Sequence, residues 1–392
     1  MKISNKITFD NTEIAFSDKS KWDLRRMYFL FSTMNHPFIA SIGIRLTLLA
    51  LKFRLPVRGI IKSTIFHQFC GGESLKDSKQ TIAILSQSNI KSILDYSAEG
   101  EDSEAGFDAN KMETLSSLEF AKASDDIPTG VMKLSGFIRN EILVKVQNGD
   151  QLNASENEQY AHFKSRVEEI CTKAVELGKY MYIDAEETWI QDPIDELVYD
   201  MMLKFNKEQV YIFNTYQLYR KDALQNMKDA HEKLTSENCY FGAKLVRGAY
   251  MEKERDRALK MGYPDPIQPN KAATDFDYDE AIKYCLEHID NMAVCTGTHN
   301  ENSSAYQASL MEAYDIAKDD PRVYFAQLYG MSDNISYQLA DKQYNIAKYL
   351  PYGALEKVMP YLIRRAEENT SMSGQSSREF SLVKKEMKRR KR

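Results

Sequence analysis

The sequence predicts an α/β fold, a closed (β/α)8 barrel preceded by a helical region. Three observations support this prediction. From residue 90 onward, short runs rich in β-branched and aromatic residues alternate with longer segments of helical periodicity. Eight such runs occur, which is the number that a TIM-type barrel needs. Polar side chains stand at the end of almost every run.

The predicted strands are short and mostly apolar, as expected of parallel strands that are buried on both faces. They are IKSILDYS (90–97), VMKLSG (131–136), YMYIDAE (180–186), VYIFNTY (210–216), AKLVRGAY (243–250), MAVCTGTHN (292–300), VYFAQLYG (323–330) and IAKYLPYG (346–353). The stretches between them, such as NEQYAHFKSRVEEICTKAVELGK (157–179), repeat apolar residues every three or four positions. That spacing predicts amphipathic crossover helices.

An open doubly wound sheet would show the same alternation, so the polar strand ends decide between the two folds. A barrel gathers the C-terminal ends of all its strands at one mouth, where such enzymes place their chemistry. The polar groups at these ends favour the barrel; they are Asp95, Lys133, Asp184, Glu186, Asn214, Gln217, Arg247, Tyr250, Thr298, His299, Asn300, Gln327 and Tyr349.

Three regions are predicted along the 392 residues. Residues 1–85 are expected to form a helical accessory region, and residues 86–375 the barrel. Residues 376–392 end in KKEMKRRKR, a basic composition that predicts a disordered tail. The net charge of −5 is small for this length and does not indicate a nucleic-acid partner.

The cysteines and the N-terminus predict an intracellular, cytoplasmic protein. The five cysteines form no CxxC pair, and the six histidines form no HExxH spacing, so neither a disulfide framework nor a metal site is indicated. The first 18 residues lack an apolar signal core and carry three acidic residues, unlike a transit peptide. The apolar stretch 38–55 contains Arg45, Lys52 and Arg54 and is too short and too charged to cross a bilayer.

Near the C-terminus, Tyr361, Arg364, Arg365 and Glu368 have the spacing of one helix face. Two arginines beside a tyrosine could clamp the carboxylate of an amino or imino acid through bidentate hydrogen bonds. The alternative is a solvated helix face with an ion pair between Arg364 and Glu368.

Lys133 lies within an apolar strand, where its charge needs a partner, and Asp184 at the end of the next strand could supply one. Such a pair could bind a zwitterion, one residue near its carboxylate and the other near its amine. A structural ion pair of the barrel is an equal alternative.

A nucleotide cofactor would need an unusual binding site, because the sequence contains neither GxGxxG nor GxxxxGK[ST]. Lys244, Arg247 and Gly248 in KLVRGAY could contact a pyrophosphate, with Gly248 allowing close backbone approach. Lys271 and Thr274 follow in a downstream segment and could contribute to the same site.

Taken together, the strand-end motifs resemble the proline dehydrogenase family, with a spelling closer to its monofunctional, mitochondrial-type branch. The resemblance covers about residues 85–375. It is carried by KLS (133–135), DAEE (184–187), NTYQ (214–217), KLVRGAY (244–250), THN (298–300), QLYGM (327–331), YLPYG (349–353) and YLIRRAEEN (361–369).

The resemblance implies a distorted (βα)8 barrel that binds FAD noncovalently and oxidises L-proline to 1-pyrroline-5-carboxylate, passing electrons to a membrane quinone. Lys133, Arg364 and Arg365 would bind the substrate carboxylate. The pocket would also be lined by Asp184, Tyr250, Leu328, Tyr349 and Tyr361. The residues expected to hold FAD are Asn214, Lys244, Arg247, Gly248, Ala249, Lys271, Thr274, Thr298, His299, Asn300, Arg365 and Glu368.

Departures from the family pattern and open alternatives qualify these expectations. Asn214 replaces a glutamine that is usual in the bifunctional bacterial enzymes, and Lys244 and Arg247 exchange the usual arginine and lysine. The bulky Tyr349 favours proline over hydroxyproline, although hydroxyproline dehydrogenase and a catalytically silent amino-acid-binding barrel remain alternatives.

Residues 38–55 and the basic tail could place the protein peripherally on the inner face of a membrane. The sequence does not predict the oligomeric state.

Overall fold

A computed structural model describes residues 7–36, 38, 43–46, 50, 53, 55–96, 101–371 and 375–391, with the backbone alone described for 367–371 and 375–377. Eight parallel strands follow one another in chain order around a closed barrel. They are β1 (Ile90–Tyr96), β2 (Thr129–Lys133), β3 (Tyr180–Asp184), β4 (Ile212–Gln217), β5 (Phe241–Val246), β6 (Met292–Gly297), β7 (Val323–Leu328) and β8 (Ile346–Tyr352). The predicted barrel is confirmed, and each strand lies within its predicted run or overlaps it.

The described helices precede the barrel, connect its strands and follow it. Before β1 come α1 (Thr12–Ala15), α2 (Lys21–Met34), α3 (Arg58–Ile61), a π-helical turn (Lys62–Phe66), α4 (His67–Phe69) and α5 (Leu75–Ser86). Between strands lie α6 (Glu104–Lys122), a 3₁₀ turn (Leu134–Gly136), α7 (Asn140–Asn148), α8 (Ala154–Glu176), α9 (Thr188–Phe205), α10 (Ala223–Ser236), α11 (Met251–Met261), α12 (Lys271–Glu287), α13 (Glu301–Ala313) and α14 (Asp333–Asp341). After β8 come α15 (Leu355–Ser371) and α16 (Gln375–Arg389).

The contacts divide the chain into two units, which differ from the predicted boundary at residue 85. The first unit contains residues 1–7 and 100–326, and the second contains residues 8–99 and 327–392. The second unit pairs β1 with β8, because Ile90 to Tyr96 lie opposite Ile346 to Tyr352 in parallel register. The N-terminal helices therefore share a unit with the last strand and the C-terminal helices.

Parallel pairing in the first unit brings the ends of its strands into register. Lys133, the last residue of β2, lies opposite Asp184, the last residue of β3. On β4 and β5, Thr215 lies opposite Lys244. Register alone thus places the lysine of the KLS motif beside the aspartate of the DAEE motif.

The core of the second unit is formed largely by the helices outside the barrel. Phe16, Phe31, Phe69, Leu355 and Val383 are among its buried residues. An N-cap on α2 supports this packing, since Ser20 and Asp23 form a reciprocal capping box at its first turn. The amphipathic faces of α2 and α16 pack against each other and bury Leu24 and Leu382.

The basic C-terminal segment is helical, and the predicted disorder is wrong for it. Helix α16 buries Glu379, Leu382, Val383 and Glu386. Arg390 donates to the carbonyl oxygens of Phe16 and Lys19, both at 2.6 Å. Disorder was predicted from the basic composition of the segment. That prediction failed because apolar residues at helical spacing give this charged segment a face that can be buried.

The predicted membrane-contacting stretch 38–55 lies largely outside the described residues. Within the part of the chain that the structure describes, no helix combines the length and the apolar character needed to span a bilayer.

Candidate active site

An ion cluster occupies the strand ends of the first unit. The Nζ atom of Lys133 lies 3.4 Å from Oδ2 of Asp184. Lys244, from β5, donates to Oδ1 of the same carboxylate. The predicted contact between Lys133 and Asp184 is thus present, and Lys244, which was expected to hold the cofactor, also contacts Asp184.

The cluster keeps Asp184 ionised although it is half-buried. Desolvation alone would raise the pKa of its carboxyl, but the ammonium groups of Lys244 and Lys133 lower the pKa below its ordinary value. A half-buried anion balanced by two cations provides both signs of charge within one small region. That combination matches a zwitterionic guest and also a structural ion pair, as the sequence indicated.

A hydrogen-bonded bridge joins the ends of β3, β4 and β5. The side chain of Gln217 donates to the carbonyl oxygen of Glu186 at 2.6 Å and accepts from the Ala249 N–H at 3.3 Å. The backbone N–H of Glu186 donates to Gln191 at 2.7 Å. Tyr250 follows this bridge, and burial raises the pKa of its phenol, so it stays a neutral hydroxyl.

The ring of Tyr219, in the first unit, leaves no room for a side chain at Gly248. Its φ of +131° lies in a region that side chains disfavour, and a Cβ there would come within 2.4 Å of the Tyr219 ring. The sequence attributed this glycine to close approach of a cofactor. The contact with Tyr219 is itself a sufficient reason for a glycine here, and the approach of a cofactor stays a prediction.

Arg247 is the centre of a second polar cluster. Its guanidinium donates to Asp275 Oδ1 at 2.7 Å, Thr298 Oγ1 at 2.7 Å and Ser303 Oγ at 2.9 Å. Lys271 also pairs with Asp275. Arg247 lies over the Tyr278 ring as well, 4.3 Å from its centroid.

Other residues predicted to hold the cofactor lie in β4, after β6 and at the start of α12. The N–H of Asn300 donates to Thr298 at 3.1 Å, and the Asn300 side chain caps α13. Thr274 is buried in the first turn of α12, and His299 is half-buried after β6. Asn214 is fully buried and donates to Asp195 at 2.8 Å, so its amide is committed to α9.

The Arg247 cluster has the donor chemistry that a dinucleotide requires. A guanidinium, an ammonium group and the hydroxyls of Thr298 and Ser303 are all able to donate to phosphate oxygens. Asp275 is an acidic member, and a phosphate would take its place as a partner of the two cations. These residues therefore fit a phosphate-bearing cofactor.

The second unit carries the predicted arginine clamp on α15. Tyr361, Arg364 and Arg365 lie on this helix with the expected spacing, and Tyr361 is buried. The Arg365 guanidinium stacks over the Tyr361 ring, 5.2 Å from its centroid. The side chain of Glu368 lies outside the described residues, so its predicted roles stay predictions.

The remaining predicted pocket residues of this unit lie on or beside its strands. Leu328 ends β7, and Tyr349 lies in β8 with 7% of its surface exposed. The backbone of Tyr329 donates to the Tyr349 carbonyl at 2.8 Å. Gly330, with φ of +79°, is held by Gln68, which donates to its carbonyl oxygen at 2.7 Å.

Several polar partners were not among the predicted site residues. Asp275 and Ser303 lie 28 and 56 positions from Arg247 in the sequence, and no motif links them. Gln217 and Glu186 were noted as polar strand ends without an assigned role. A search for buried polar residues just beyond predicted strands would have selected these two.

Comparison with known proteins agrees with the fold and the motifs. The sequence model of the family described as proline dehydrogenase matches residues 78–378. The carbapenem antibiotics biosynthesis protein CarD of Pectobacterium carotovorum subsp. carotovorum is 32% identical over 375 residues, which cover 95% of this chain and 96% of that protein. Human proline dehydrogenase 1, mitochondrial, is 36% identical over 339 residues, covering 83% of this chain.

The chain spans 55% of the length of the human relative. Among solved structures, proline utilization A from Bdellovibrio bacteriovorus, inactivated by N-propargylglycine, superposes with a TM-score of 0.72 at 21% identity. The superposition covers 94% of this chain and 40% of that one. At this level of identity the likeness supports the barrel fold.

Proposed function

The chain belongs to the proline dehydrogenase family, and from that premise we propose that it oxidises L-proline to 1-pyrroline-5-carboxylate, the first step of proline degradation to glutamate. The observation that carries the proposal is the Asp184 carboxylate held between Lys133 and Lys244. A cyclic imino acid with one carboxylate and one ammonium group matches this arrangement of charges.

The two charged groups of the substrate are assigned to different residues of the site. Lys133, Arg364 and Arg365 are assigned to the carboxylate, with the planar guanidinium groups suited to bidentate hydrogen bonds. Asp184 is assigned to the amine, because its lowered pKa keeps it anionic at neutral pH. The pocket walls are assigned to Tyr250, Leu328, Tyr349 and Tyr361, which would exclude water from the reacting carbon.

FAD is the proposed cofactor, and Arg247, Lys271, Thr298 and Asn300 are proposed to hold its phosphates and adenosine. Their hydrogen-bond donors support this assignment, because guanidinium, ammonium, hydroxyl and amide groups can all donate to phosphate oxygens. Bound FAD would supply the acceptor for the two electrons that leave the substrate. The protein residues contribute position and electrostatics.

A quinone in a membrane is the proposed final electron acceptor, reached by peripheral contact from the cytoplasmic side. The outer face of α2 supports this: Trp22 and Phe29 are 70% and 64% exposed, and Lys21 and Arg25 lie beside them. Aromatic and basic residues on one helix face suit the surface of an anionic bilayer. Binding to anionic but not neutral vesicles, reduced in a Trp22→Ser, Phe29→Ser variant, would support this contact.

Proline is the proposed preferred substrate, because the family resemblance assigns the bulky ring of Tyr349 to the pocket, where it would disfavour a hydroxylated proline ring. The wild-type protein should form the pyrroline product from L-proline, trapped with an aromatic aldehyde, and oxidise hydroxyproline poorly. Tyr349→Ser should shift the ratio of kcat/KM toward hydroxyproline. A wild-type preference for hydroxyproline would favour the rival enzyme, and no reaction with either substrate would favour a silent barrel.

A second physiological role has one specific observation in its favour. The relative that is matched along 96% of its length is named as a carbapenem biosynthesis protein. The same oxidation could serve a biosynthetic pathway, and altered carbapenem production on loss of the gene would favour that role over growth on proline.

A further inference from the structure

Glu186 is a buried carboxylate next to the proposed site that has no assigned role. It lies two residues beyond the end of β3, and only 3% of its surface is exposed. One oxygen accepts the Ser135 N–H and the other accepts the Ser135 hydroxyl, both at 2.8 Å. Its own backbone is held on both sides, by Gln191 at 2.7 Å and by Gln217 at 2.6 Å.

This double contact fixes the end of β2. Ser135 lies in the 3₁₀ turn that begins immediately after Lys133. Lys133 is paired in register with Asp184 on β3, two residues before Glu186. The end of β2 is therefore attached to β3 at two successive points, once through its strand pairing and once through the Glu186 carboxylate. A two-point attachment restricts the direction in which the Lys133 side chain leaves the strand.

The charges around Glu186 oppose one another. Burial is the largest effect and raises its pKa, the two Ser135 hydrogen bonds lower it, the neighbouring carboxylate of Glu187 raises it, and Lys133 lowers it. Together these effects give Glu186 a pKa of about 7. Tyr250 also faces Glu186, from the loop after β5, while α9 and β4 contribute the neutral Gln191 and Gln217. The Glu186 carboxyl is thus able to change its protonation state near neutral pH.

We propose that Glu186 is a positioning residue for the oxidation: its carboxylate, by holding Ser135, keeps Lys133 placed for the substrate carboxylate, and proton uptake by Glu186 weakens that placement. The ionised group accepts two hydrogen bonds and gives Lys133 a second negative neighbour beside Asp184. The neutral acid carries no charge, and of these partners only the Ser135 hydroxyl oxygen can accept its proton, because the Ser135 N–H and the Lys133 ammonium group are donors only. This inference rests on the proposed function, because it assigns Lys133 to substrate binding.

The test compares Glu186→Gln with the wild-type protein in kcat/KM for L-proline from about pH 5.5 to pH 8.5. The wild-type profile should fall toward low pH with a midpoint near 7. Glu186→Gln should lose this fall and show a roughly tenfold higher KM at pH 8, with a smaller change in kcat. Its Tm at pH 8 should not decrease, since the variant removes a buried charge whose burial is unfavourable.

Two further variants separate positioning from a general structural effect. Glu187→Gln removes the adjacent carboxylate, which pairs with Lys253, and should keep the acid fall but move it to lower pH, because Glu187 raises the pKa of Glu186. Ser135→Ala removes a hydrogen bond that stabilises the carboxylate and should move the fall to higher pH. A merely structural role would not move the midpoint in opposite directions in these two variants.

The inference is overturned if Glu186→Gln retains the acid fall and the wild-type KM. If the wild-type protein does not oxidise proline, the proposed function fails and no profile exists. In that case, the protonation of Glu186 is tested through the pH dependence of the Tm alone. The wild-type pKa is raised on folding, so Glu186 costs stability as pH rises from about 4.5 through about 7. A Tm difference between wild type and Glu186→Gln that does not change over this range would contradict the inference independently of activity.

Discussion

Asp184 joins two cations at the strand ends of the first unit. It is half-buried, and both Lys133 and Lys244 reach its carboxylate. Lys244 is itself 4% exposed, so removing the anion would leave a buried cation without its balancing charge. The pair therefore has a structural consequence even where its proposed role is in binding proline.

Asp184→Asn should be costly for both folding and activity. We expect a loss of roughly 3 to 5 kcal/mol in the free energy of unfolding at pH 7, because the buried ammonium group of Lys244 loses the anion that balances it. The pKa of Asp184 is lowered on folding, so this contribution is present above the ordinary pKa of 3.8 and is lost as pH falls through the folded value. Urea denaturation and the KM for L-proline measure the two effects.

Asp108→Asn is the matched control for this substitution. Asp108 also pairs with a cation, since Arg166 lies 2.8 Å away, but its side chain is 57% exposed. Arg166 is buried but also pairs with Glu104, so the loss of the exposed Asp108 carboxylate should cost less than about 1 kcal/mol. Equal losses in the two variants would show that Asp184 contributes no more than a carboxylate that is largely exposed to solvent.

Single residues also mark the limit of what the sequence could predict about the site. Lys133 and Asp184 could be paired from the sequence, because each ends a strand and adjacent parallel strands align their ends. The partners of Arg247 could not, since Asp275 and Ser303 reach it from helices α12 and α13. Contacts of helical side chains with strand ends depend on crossover packing, which leaves no local pattern.

At the scale of elements, parallel strands were predictable and the C-terminal helix was not. Strands such as β4 and β8 are buried at every position, so they stand out as apolar runs. In α16 the apolar residues are interrupted by many lysines and arginines. Disorder was therefore predicted from the charge of the segment, and its apolar helical spacing was overlooked. Pairing with the N-terminal segment, such as Arg378 with Asp10 at 2.7 Å, stabilises this helix.

Removing residues 375–392 should destabilise the second unit. Leu382 and Val383 would no longer cover their partners in the core, and the Ser332 N–H would lose the Glu379 carboxylate that accepts it at 2.5 Å. We expect a clearly lower Tm for the shortened chain. The control, Lys384→Ala with Lys388→Ala, removes two exposed charges of α16 and should change stability by less than about 0.5 kcal/mol. A shortened chain as stable as the wild type would contradict the packing of α16.

The turn after β7 gives a second prediction about an element. Gly330 and Gly149 have similar φ values of +79° and +74°, but a Cβ on Gly330 would lie 1.9 Å from the Gln68 carbonyl oxygen, whereas one on Gly149 would meet nothing within 4 Å. Gly149→Ala should therefore lower the free energy of unfolding only by the strain of an alanine in the left-handed conformation, about 1 to 2 kcal/mol. Gly330→Ala should lower it by at least about 2 kcal/mol more, because the backbone must move to make room for the Cβ atom. Similar urea midpoints for the two variants would contradict the close contact at Gly330.

At the scale of the whole molecule, the closed eight-stranded barrel and the family assignment support an account centred on proline oxidation. The order of the motifs along the chain made the fold predictable, because each motif ends a β/α unit. The division into two units was not predictable from that order. The second unit joins residues 8–99 to residues 327–392, which are distant in sequence and meet through β1 and β8.

Proline oxidation by a bound flavin can be followed in the visible spectrum of the purified protein, recorded under anaerobic conditions before and after addition of L-proline. We predict the absorption bands of a bound oxidised flavin, which bleach when proline is added. Bleaching should require far more proline in Arg364→Lys, because a lysine cannot replace the bidentate contact. A protein that binds no added FAD, or whose flavin stays oxidised with saturating L-proline, would contradict the proposed oxidation of proline.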